Sequence, residues 1–196
     1  STSINIFILV AACCFLGYLY QGPPFRLGYQ GLGEPLCWLA FGPFAYSAVL
    51  IALNPSNIYF EDIPWKVSLL LGSGPSLATT LVLFCSHFHQ ISEDKKHGKN
   101  SPLVRLGAKK GSQFVPWIIF TIYIFQLFTI VYGFIPVFCI LYLLSFPQAI
   151  RLINLLKSSY AKPSAIKNCK FVAIKFQTLN GIGLITGLIF NYLLNK

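Results

Sequence analysis

Residues 67–107 read VSLLLGSGPSLATTLVLFCSHFHQISEDKKHGKNSPLVRLG. The first part, 67–85, is mostly apolar, has no charged residue and is close to the roughly 20 residues that a helix needs to cross a bilayer. The second part, 86–107, is the most polar run of the chain and holds all three histidines and two of the five acidic residues. This abrupt change predicts a membrane helix that ends in a polar, chemically active loop at the membrane surface.

The composition of the whole chain points to the same class of protein. Of its 196 residues, 55% are hydrophobic and 10% are charged, and the mean hydropathy is +0.65. A soluble domain carries about 25% charged residues. The net charge of +10 does not indicate nucleic-acid binding here, because the basic residues lie in connections between apolar segments. There they fit the positive-inside bias of membrane proteins and an attraction to anionic lipid headgroups or to a phosphorylated substrate.

Six apolar segments are long enough to cross a membrane. We therefore predict an all-α fold, a polytopic transmembrane helical bundle in a lipid bilayer, that forms a single domain over residues 1–196. The fourth and fifth segments adjoin, so we expect a tight hairpin at Gly133 and Pro136. The six segments are 4–20, 36–53, 67–85, 115–133, 134–153 and 179–194.

The basic residues divide unequally between the two sides of this bundle. Thirteen of the fifteen fall in the first, third and fifth connections, which predicts that these three connections share the cytoplasmic or stromal side. Only Lys66 and Lys196 fall on the other side, where we expect Glu61 and Asp62 to form a solvated interfacial loop. The thirteen are Arg26, Lys95, Lys96, Lys99, Arg105, Lys109, Lys110, Arg151, Lys157, Lys162, Lys167, Lys170 and Lys175.

Two short glycine-rich stretches favour close backbone approaches. The first connection, 21–35, reads QGPPFRLGYQGLGEP and is too rich in Gly and Pro for a regular helix. It offers Arg26, Tyr29 and Glu34 to a ligand, although an ordinary interhelical loop explains it equally well. The GSGPS run at 72–76 predicts tight packing or a kink in the third helix. A phosphate loop is not indicated, because no Lys of the kind that a phosphate loop needs follows the run.

A helix that continued through His89 would place His87, Gln90 and Asp94 along one stripe, with Glu93 beside it. Oxygen ligands of this kind suit Mg²⁺. Two histidines with an aspartate would suit zinc or iron instead, although the HxH spacing fits one helical face poorly.

Basic residues follow these acids and suit a diphosphate. Lys95, Lys96, Lys99 and Arg105 can bind its oxygens, with the arginine offering a bidentate contact. A solvated charge run on the cytoplasmic side remains the alternative.

The run HFHQISEDKKHGKNSPLVRLG, 87–107, resembles the second aspartate motif of the UbiA-type intramembrane prenyltransferases. The run GYQGLGEPLCWLAFGP, 28–43, resembles the loop after the fourth helix in the members that act on 1,4-dihydroxy-2-naphthoate in cyanobacteria and plastids. By this resemblance the six segments correspond to helices four to nine of nine. The first aspartate motif and the N-terminal helices of the family are then expected to be missing from this chain.

The resemblance also assigns roles to individual residues. Asp94 matches the second aspartate of the motif and Gln90 replaces the first, so both are expected as metal ligands. With Glu93 they form the expected catalytic set. Lys95, Lys99 and Arg105 are the expected diphosphate-binding residues. The aromatic acceptor is expected to meet Arg26, Tyr29 and Glu34.

The function that this resemblance implies is a prenyl transfer that depends on Mg²⁺. Phytyl diphosphate, or a similar prenyl donor, would lose its diphosphate, and the allylic cation would attack 1,4-dihydroxy-2-naphthoate with loss of carbon dioxide, as in phylloquinone or menaquinone biosynthesis. The implied location is a thylakoid, inner-envelope or cyanobacterial membrane, with the active side facing the stroma or cytoplasm. The alternative is a non-catalytic membrane subunit of the same fold, bound to a photosynthetic complex.

Overall fold

A computed structural model of the chain describes residues 4–53 and 63–196. Within these ranges the chain is mostly helical and has no strand, and six helical spans are long and apolar enough to cross a membrane. The prediction of an all-α, six-span bundle is confirmed. Glu61 and Asp62, predicted to form an interfacial loop, lie outside the described residues. The spans are Ile4–Gln21, Gly33–Leu53, Trp65–His89, Pro102–Val131, Val137–Ser159 and Ser164–Leu194.

Several spans are built from more than one helical piece. The second span consists of α2 and α3 joined by a π-helical turn, Ala40–Phe44, that contains Pro43. Short 3₁₀ segments lie at His87–His89 and Val137–Ser145. The α-helices are α1 (Ile4–Gln21), α2 (Gly33–Leu39), α3 (Ala45–Leu53), α4 (Trp65–Ser86), α5 (Ile91–Lys96), α6 (Pro102–Val131), α7 (Phe146–Ser159), α8 (Pro163–Ile166) and α9 (Cys169–Leu194).

Two helices begin well before the apolar segments that predicted them. Helix α6 begins at Pro102 rather than at 115, and α9 begins at Cys169 rather than at 179. Lys109 and Lys110, predicted to lie in a loop, are therefore helical. Helix α6 is interrupted at Gly107, whose φ is 77° and ψ 158°, so its first turn and its long part after Gly107 are separated by a kink. Hydropathy detects only the part of a helix that lies in hydrocarbon, and the polar start of the long part extends beyond it.

The third span also ends differently from the prediction. Helix α4 stops at Ser86, a 3₁₀ turn follows, and Gln90 has the non-helical angles φ −103° and ψ 0° before α5 begins. The prediction that an uninterrupted helix through His89 places His87, Gln90 and Asp94 along one stripe was therefore wrong. The chain instead turns at this point, and the turn rather than a helical repeat sets the positions of His87 and Asp94.

Close packing at glycines holds the bundle together around α4. A Cβ on Gly72 would lie 2.9 Å from the backbone carbon of Gly42, and one on Gly74 would lie 2.7 Å from Gln126 Cγ. Small residues at such contacts let membrane helices approach closely. The tight packing predicted for the GSGPS run is confirmed. Gly183 and Gly187 of α9 make similar backbone contacts with the 3₁₀ segment Val137–Ser145.

The polar connections meet at one end of the bundle. The backbone N–H of Asn100 donates to the carbonyl of Tyr29 at 2.7 Å, which joins the first and third connections. Helix α8, in the fifth connection, contacts the 3₁₀ turn His87–His89. The prediction that these three connections share one side therefore agrees with the fold. The hairpin between the fourth and fifth spans is also present, with Gly133 at φ 71°.

Candidate active site

The candidate site lies where α2, the His87–His89 turn, α5 and the start of α6 come together. His87 is at its centre and is 3% exposed. Its Nδ1 lies 3.3 Å from Asp94 Oδ2, and its Nε2 lies 3.7 Å from Glu34 Oε1. The imidazole thus connects two carboxylates that are 60 residues apart in sequence. The sequence grouped His87 with Asp94 but placed Glu34 in a separate, acceptor-binding group.

Asp94 is buried and has partners on both sides of its carboxylate. Ser101 Oγ donates a hydrogen bond to Oδ2 at 2.8 Å, and Lys99 Nζ lies 3.5 Å from Oδ1. Gly98 has a φ of 69°, which lets the chain reverse after α5. The backbone N–H of Lys99 then donates to the carbonyl of Asp94 at 2.8 Å. This short turn is what brings Lys99 and Ser101 back to Asp94.

The neighbouring motif residues are placed differently. Glu93 and Lys95 are exposed, and Gln90 is half-buried at the break before α5. The backbone carbonyl of Glu93 accepts a hydrogen bond from the backbone N–H of His97 at 3.1 Å. In the described part of the chain, Lys95 forms no ion pair with Asp94. The structure therefore separates Asp94, which belongs to the buried cluster, from the two neighbouring charges.

The first connection lies directly over the third. Gly31 has a φ of 79°, and a Cβ there would lie 2.5 Å from the Asn100 carbonyl oxygen. Arg105 Nη2 donates to the Gln30 carbonyl. Position 31 therefore needs glycine, both because its φ is positive and because the Asn100 carbonyl leaves no room for a Cβ. Arg105 is thus placed where the first and third connections meet.

Arg26 and Tyr29 pair with each other. The Arg26 guanidinium lies over the Tyr29 ring at 5.8 Å. Among the described residues, neither side chain makes a hydrogen bond or ion pair with Glu34. Of the three residues expected to bind the acceptor, Glu34 is therefore the one that the fold brings into the buried cluster.

Glu34 is an unusual group for this environment. Both of its carboxylate oxygens are buried and, within the described residues, have no hydrogen-bond partner. A buried acceptor normally has a partner, because leaving it without one costs about 1–3 kcal/mol. The open oxygens fit a cation ligand. The described residues contain no group of three or more His, Cys, Asp or Glu that could by itself hold a metal.

A cavity of about 720 Å³ opens beside the cluster, between α1, α2, the π-helical turn, the start of α3, α4 and α9. Most of its wall is apolar, and Ser86 of the wall directly precedes His87 in the chain. Within the wall, Gln177 Nε2 donates to Thr79 Oγ1 at 2.7 Å. The lining residues are Cys13, Leu16, Gly17, Tyr20, Leu36, Cys37, Ala40, Phe41, Ala45, Thr79, Val82, Leu83, Ser86 and Gln177.

The sequence did not identify Ser101 or the wall of this cavity. Ser101 precedes a Pro at the start of an apolar helix and carries the ordinary signal of a helix start. The cavity residues are mostly apolar positions on six separate elements, and nothing in their spacing distinguishes them from core positions. A conspicuous signal existed only for Glu34, as a single carboxylate beside an apolar span.

Two curated proteins are similar to this chain over most of its length. The chain is 37% identical over 179 residues to the 2-carboxy-1,4-naphthoquinone phytyltransferase of Synechocystis sp., and this match covers 91% of the chain and 56% of the relative. It is 38% identical over 191 residues to the chloroplastic 2-carboxy-1,4-naphthoquinone phytyltransferase of Arabidopsis thaliana, covering 96% of the chain and 50% of the relative. The chain thus spans about half the length of these curated relatives.

No solved structure gives a significant match to the chain. A family match, however, covers most of its length, from residue 1 to residue 174. This range includes the whole cluster around His87 and all but one residue of the cavity wall. The chain belongs to the UbiA prenyltransferase family.

Proposed function

We propose that this chain forms the diphosphate-binding end and the substrate cavity of a prenyltransferase. The enzyme would transfer a phytyl or other prenyl group from its diphosphate to 1,4-dihydroxy-2-naphthoate. One observation carries the proposal: a buried cluster of Glu34, His87, Asp94 and Lys99 lies beside a large apolar cavity. A prenyl diphosphate matches this arrangement, because its highly charged diphosphate is joined to a long apolar chain.

Glu34 and Asp94 are proposed to hold a divalent ion, in this case Mg²⁺. Mg²⁺ is usually bound by one or two protein carboxylates, with water and substrate phosphate oxygens completing its shell. Two carboxylates therefore fit the ion, and water and substrate oxygens would supply its remaining ligands. When bound, the ion would neutralise the diphosphate charge and stabilise it as it departs. This assignment moves Glu34 from the acceptor to the metal.

His87 and Ser101 are proposed to position the two carboxylates. His87 lies between Glu34 and Asp94, and Ser101 fixes one oxygen of Asp94. Lys99 is then the cation beside Asp94 that can bind a diphosphate oxygen. Arg105 supports the first connection through Gln30 and would bind the outer end of the diphosphate. Gln90, Glu93 and Lys95 lie at the edge of this arrangement and would contribute less.

The cavity is proposed to hold the prenyl tail and the naphthoate ring. Its apolar wall would keep water from an allylic cation that forms when the carbon–oxygen bond to diphosphate breaks. The ring carbon that bears the carboxylate would then form the new carbon–carbon bond. Loss of carbon dioxide would return the electron pair of the broken bond to the ring. Thr79 and Gln177 supply polar atoms within the wall that suit the ring oxygens.

The reduced ring is the better substrate for this chemistry. The two relatives are named for 2-carboxy-1,4-naphthoquinone, the oxidised form of the same skeleton. An electrophilic cation attacks an electron-rich hydroquinone more readily than an electron-poor quinone. The names of these relatives favour an enzyme and give no support to a subunit of a photosynthetic complex. The membrane would be plastid or cyanobacterial, with the cluster on the stromal or cytoplasmic side.

The test is an assay of the full-length protein in nanodiscs with phytyl diphosphate and Mg²⁺. One arm supplies 1,4-dihydroxy-2-naphthoate under reducing conditions, and the other supplies the oxidised acceptor. We expect a prenylated, decarboxylated product, together with equimolar diphosphate and carbon dioxide, mainly in the reduced arm. Release of diphosphate without a carbon–carbon bond to either acceptor would contradict the proposed function.

A further inference from the structure

A second groove lies on the outside of the bundle, between α6 and α7. Its volume is about 450 Å³. Lys109, Gln113 and Trp117 line it from α6, and Ile153, Lys157 and Tyr160 line it from the other side. It shares no lining residue with the cavity beside Asp94. We propose that this groove binds the headgroup of an anionic phospholipid.

The two walls of the groove run from the membrane surface towards the membrane interior. On α6, Lys109, Gln113 and Trp117 are four residues apart and so form one stripe. On the facing side, Lys157 and Tyr160 lie above Ile153 in the same way. Because α6 begins and α7 ends at the polar end of the bundle, both lysines lie towards the surface. Trp117 lies about 12 Å deeper along α6 than Lys109, at 1.5 Å per residue.

The charge at the top of the groove suits an anion. Lys109 and Lys157 come from different helices and are both exposed. No acidic residue lines the groove, and neither lysine forms an ion pair within the described chain. Tyr160 and Gln113 add polar groups to the same groove. Basic pockets between helices at the surface of a membrane bind phosphate-containing lipid headgroups.

The lower part of the groove distinguishes a lipid from free phosphate. Trp117 is 69% exposed, and its neighbours Phe114 and Phe120 on α6 are also exposed. On α7, Phe146 and Ile150 continue the exposed apolar surface below Ile153. Trp is enriched at the level of lipid headgroups, where an amphipathic ring meets both water and hydrocarbon. Free phosphate would use only the lysines, whereas a phospholipid would cover the whole surface.

The test measures lipid binding to the detergent-purified full-length protein by native mass spectrometry. The ligands are phosphatidylglycerol and phosphatidylcholine with identical chains, and a separate arm adds inorganic phosphate. A double variant, Lys109→Gln with Lys157→Gln, is compared with Lys110→Gln with Lys162→Gln. The second pair removes the same charge from exposed lysines that do not line the groove.

We expect the wild type and the control pair to prefer phosphatidylglycerol over phosphatidylcholine by about tenfold or more, and the groove pair to lose that preference. Equal binding of the two lipids by the wild type, or an unchanged preference in the groove pair, would overturn the proposal. Complete displacement of phosphatidylglycerol by millimolar inorganic phosphate would also overturn the proposal, because it would indicate a site for soluble anions.

A second measurement does not depend on the folding of the lysine variants. Phosphatidylglycerol with brominated acyl chains quenches nearby indoles. The Trp117 signal is the difference in fluorescence between the wild type and Trp117→Phe. We expect stronger quenching of this component by brominated phosphatidylglycerol than by brominated phosphatidylcholine at the same low mole fraction. Equal quenching by both lipids would contradict a headgroup-specific groove.

Discussion

Ser101 donates a hydrogen bond from its Oγ to Asp94 Oδ2 at 2.8 Å, and both residues are buried. This contact ties the start of α6 to the short helix α5. It fixes one carboxylate oxygen while the other faces Lys99. The orientation of the proposed metal ligand therefore depends on a serine seven residues after it, to which the sequence assigned no role.

We predict that Ser101→Ala destabilises the protein by about 1–3 kcal/mol, because it leaves a buried carboxylate oxygen with one partner fewer. It should also lower prenyl transfer. Ser92→Ala is the control, since Ser92 is exposed on α5. Thermal unfolding in detergent gives the comparison. An equal effect of the two substitutions would remove Ser101 from the positioning role.

Two lysines of the polar run should differ in their effect on the prenyl donor. Lys99 lies 3.5 Å from Asp94, whereas Lys95 is exposed. We expect Lys99→Ala to raise the KM for phytyl diphosphate by about tenfold or more, since a charge-assisted contact is lost. Lys95→Ala should change it by about threefold at most. Steady-state kinetics at saturating Mg²⁺ measure both, and the reverse order would refute the assignment of Lys99.

The close helix contact at Gly72 should be intolerant of a methyl group. In Gly72→Ala the new Cβ would lie 2.9 Å from the Gly42 backbone, which cannot move aside easily. We expect a loss of about 1–3 kcal/mol in unfolding free energy. Gly181→Ala on α9 has no atom within 4 Å of the new Cβ and should be neutral or stabilising. Thermal unfolding of both variants checks this, and a neutral Gly72→Ala would contradict the packing.

The cavity should select for the prenyl chain. Leu83 lines it, and Leu83→Trp would fill part of its 720 Å³. We expect kcat/KM for phytyl diphosphate to fall at least about tenfold more than kcat/KM for geranyl diphosphate. Ile182→Trp, at an exposed position on α9, is the control. An equal loss with both donors would show that the tail does not occupy this cavity.

Much of this architecture follows from the sequence because membrane spans have a simple signature. Six apolar segments became six helical spans, and the polar runs met at one end. Helix ends were harder to predict. Helix α6 continues through charged residues at its start, and α4 stops at Ser86 although the following residues can form a helix. Hydropathy does not report on either feature.

The site was predictable only in part. Asp94 was identified by its motif and Lys99 by its charge. The pairing of Glu34 with His87 depends on how α2 packs beside the turn that ends α4, which no spacing in the sequence encodes. Glu93 and Asp94 were indistinguishable as adjacent acids. Their separation into exposed and buried groups follows from the orientation of α5, a helix of six residues.

The most direct test of the account compares these two adjacent acids. Asp94→Asn and Glu93→Gln each remove one negative charge and keep the side chain's shape, and turnover of phytyl diphosphate with 1,4-dihydroxy-2-naphthoate is measured across a Mg²⁺ titration in the full-length protein. We predict that Asp94→Asn lowers kcat by about 100-fold or more and shifts the Mg²⁺ dependence to higher concentration, because a metal-binding carboxylate is lost. Glu93→Gln should stay within about threefold of the wild type. Near-normal turnover and Mg²⁺ dependence in Asp94→Asn would contradict the central claim that the buried cluster binds the metal and the diphosphate.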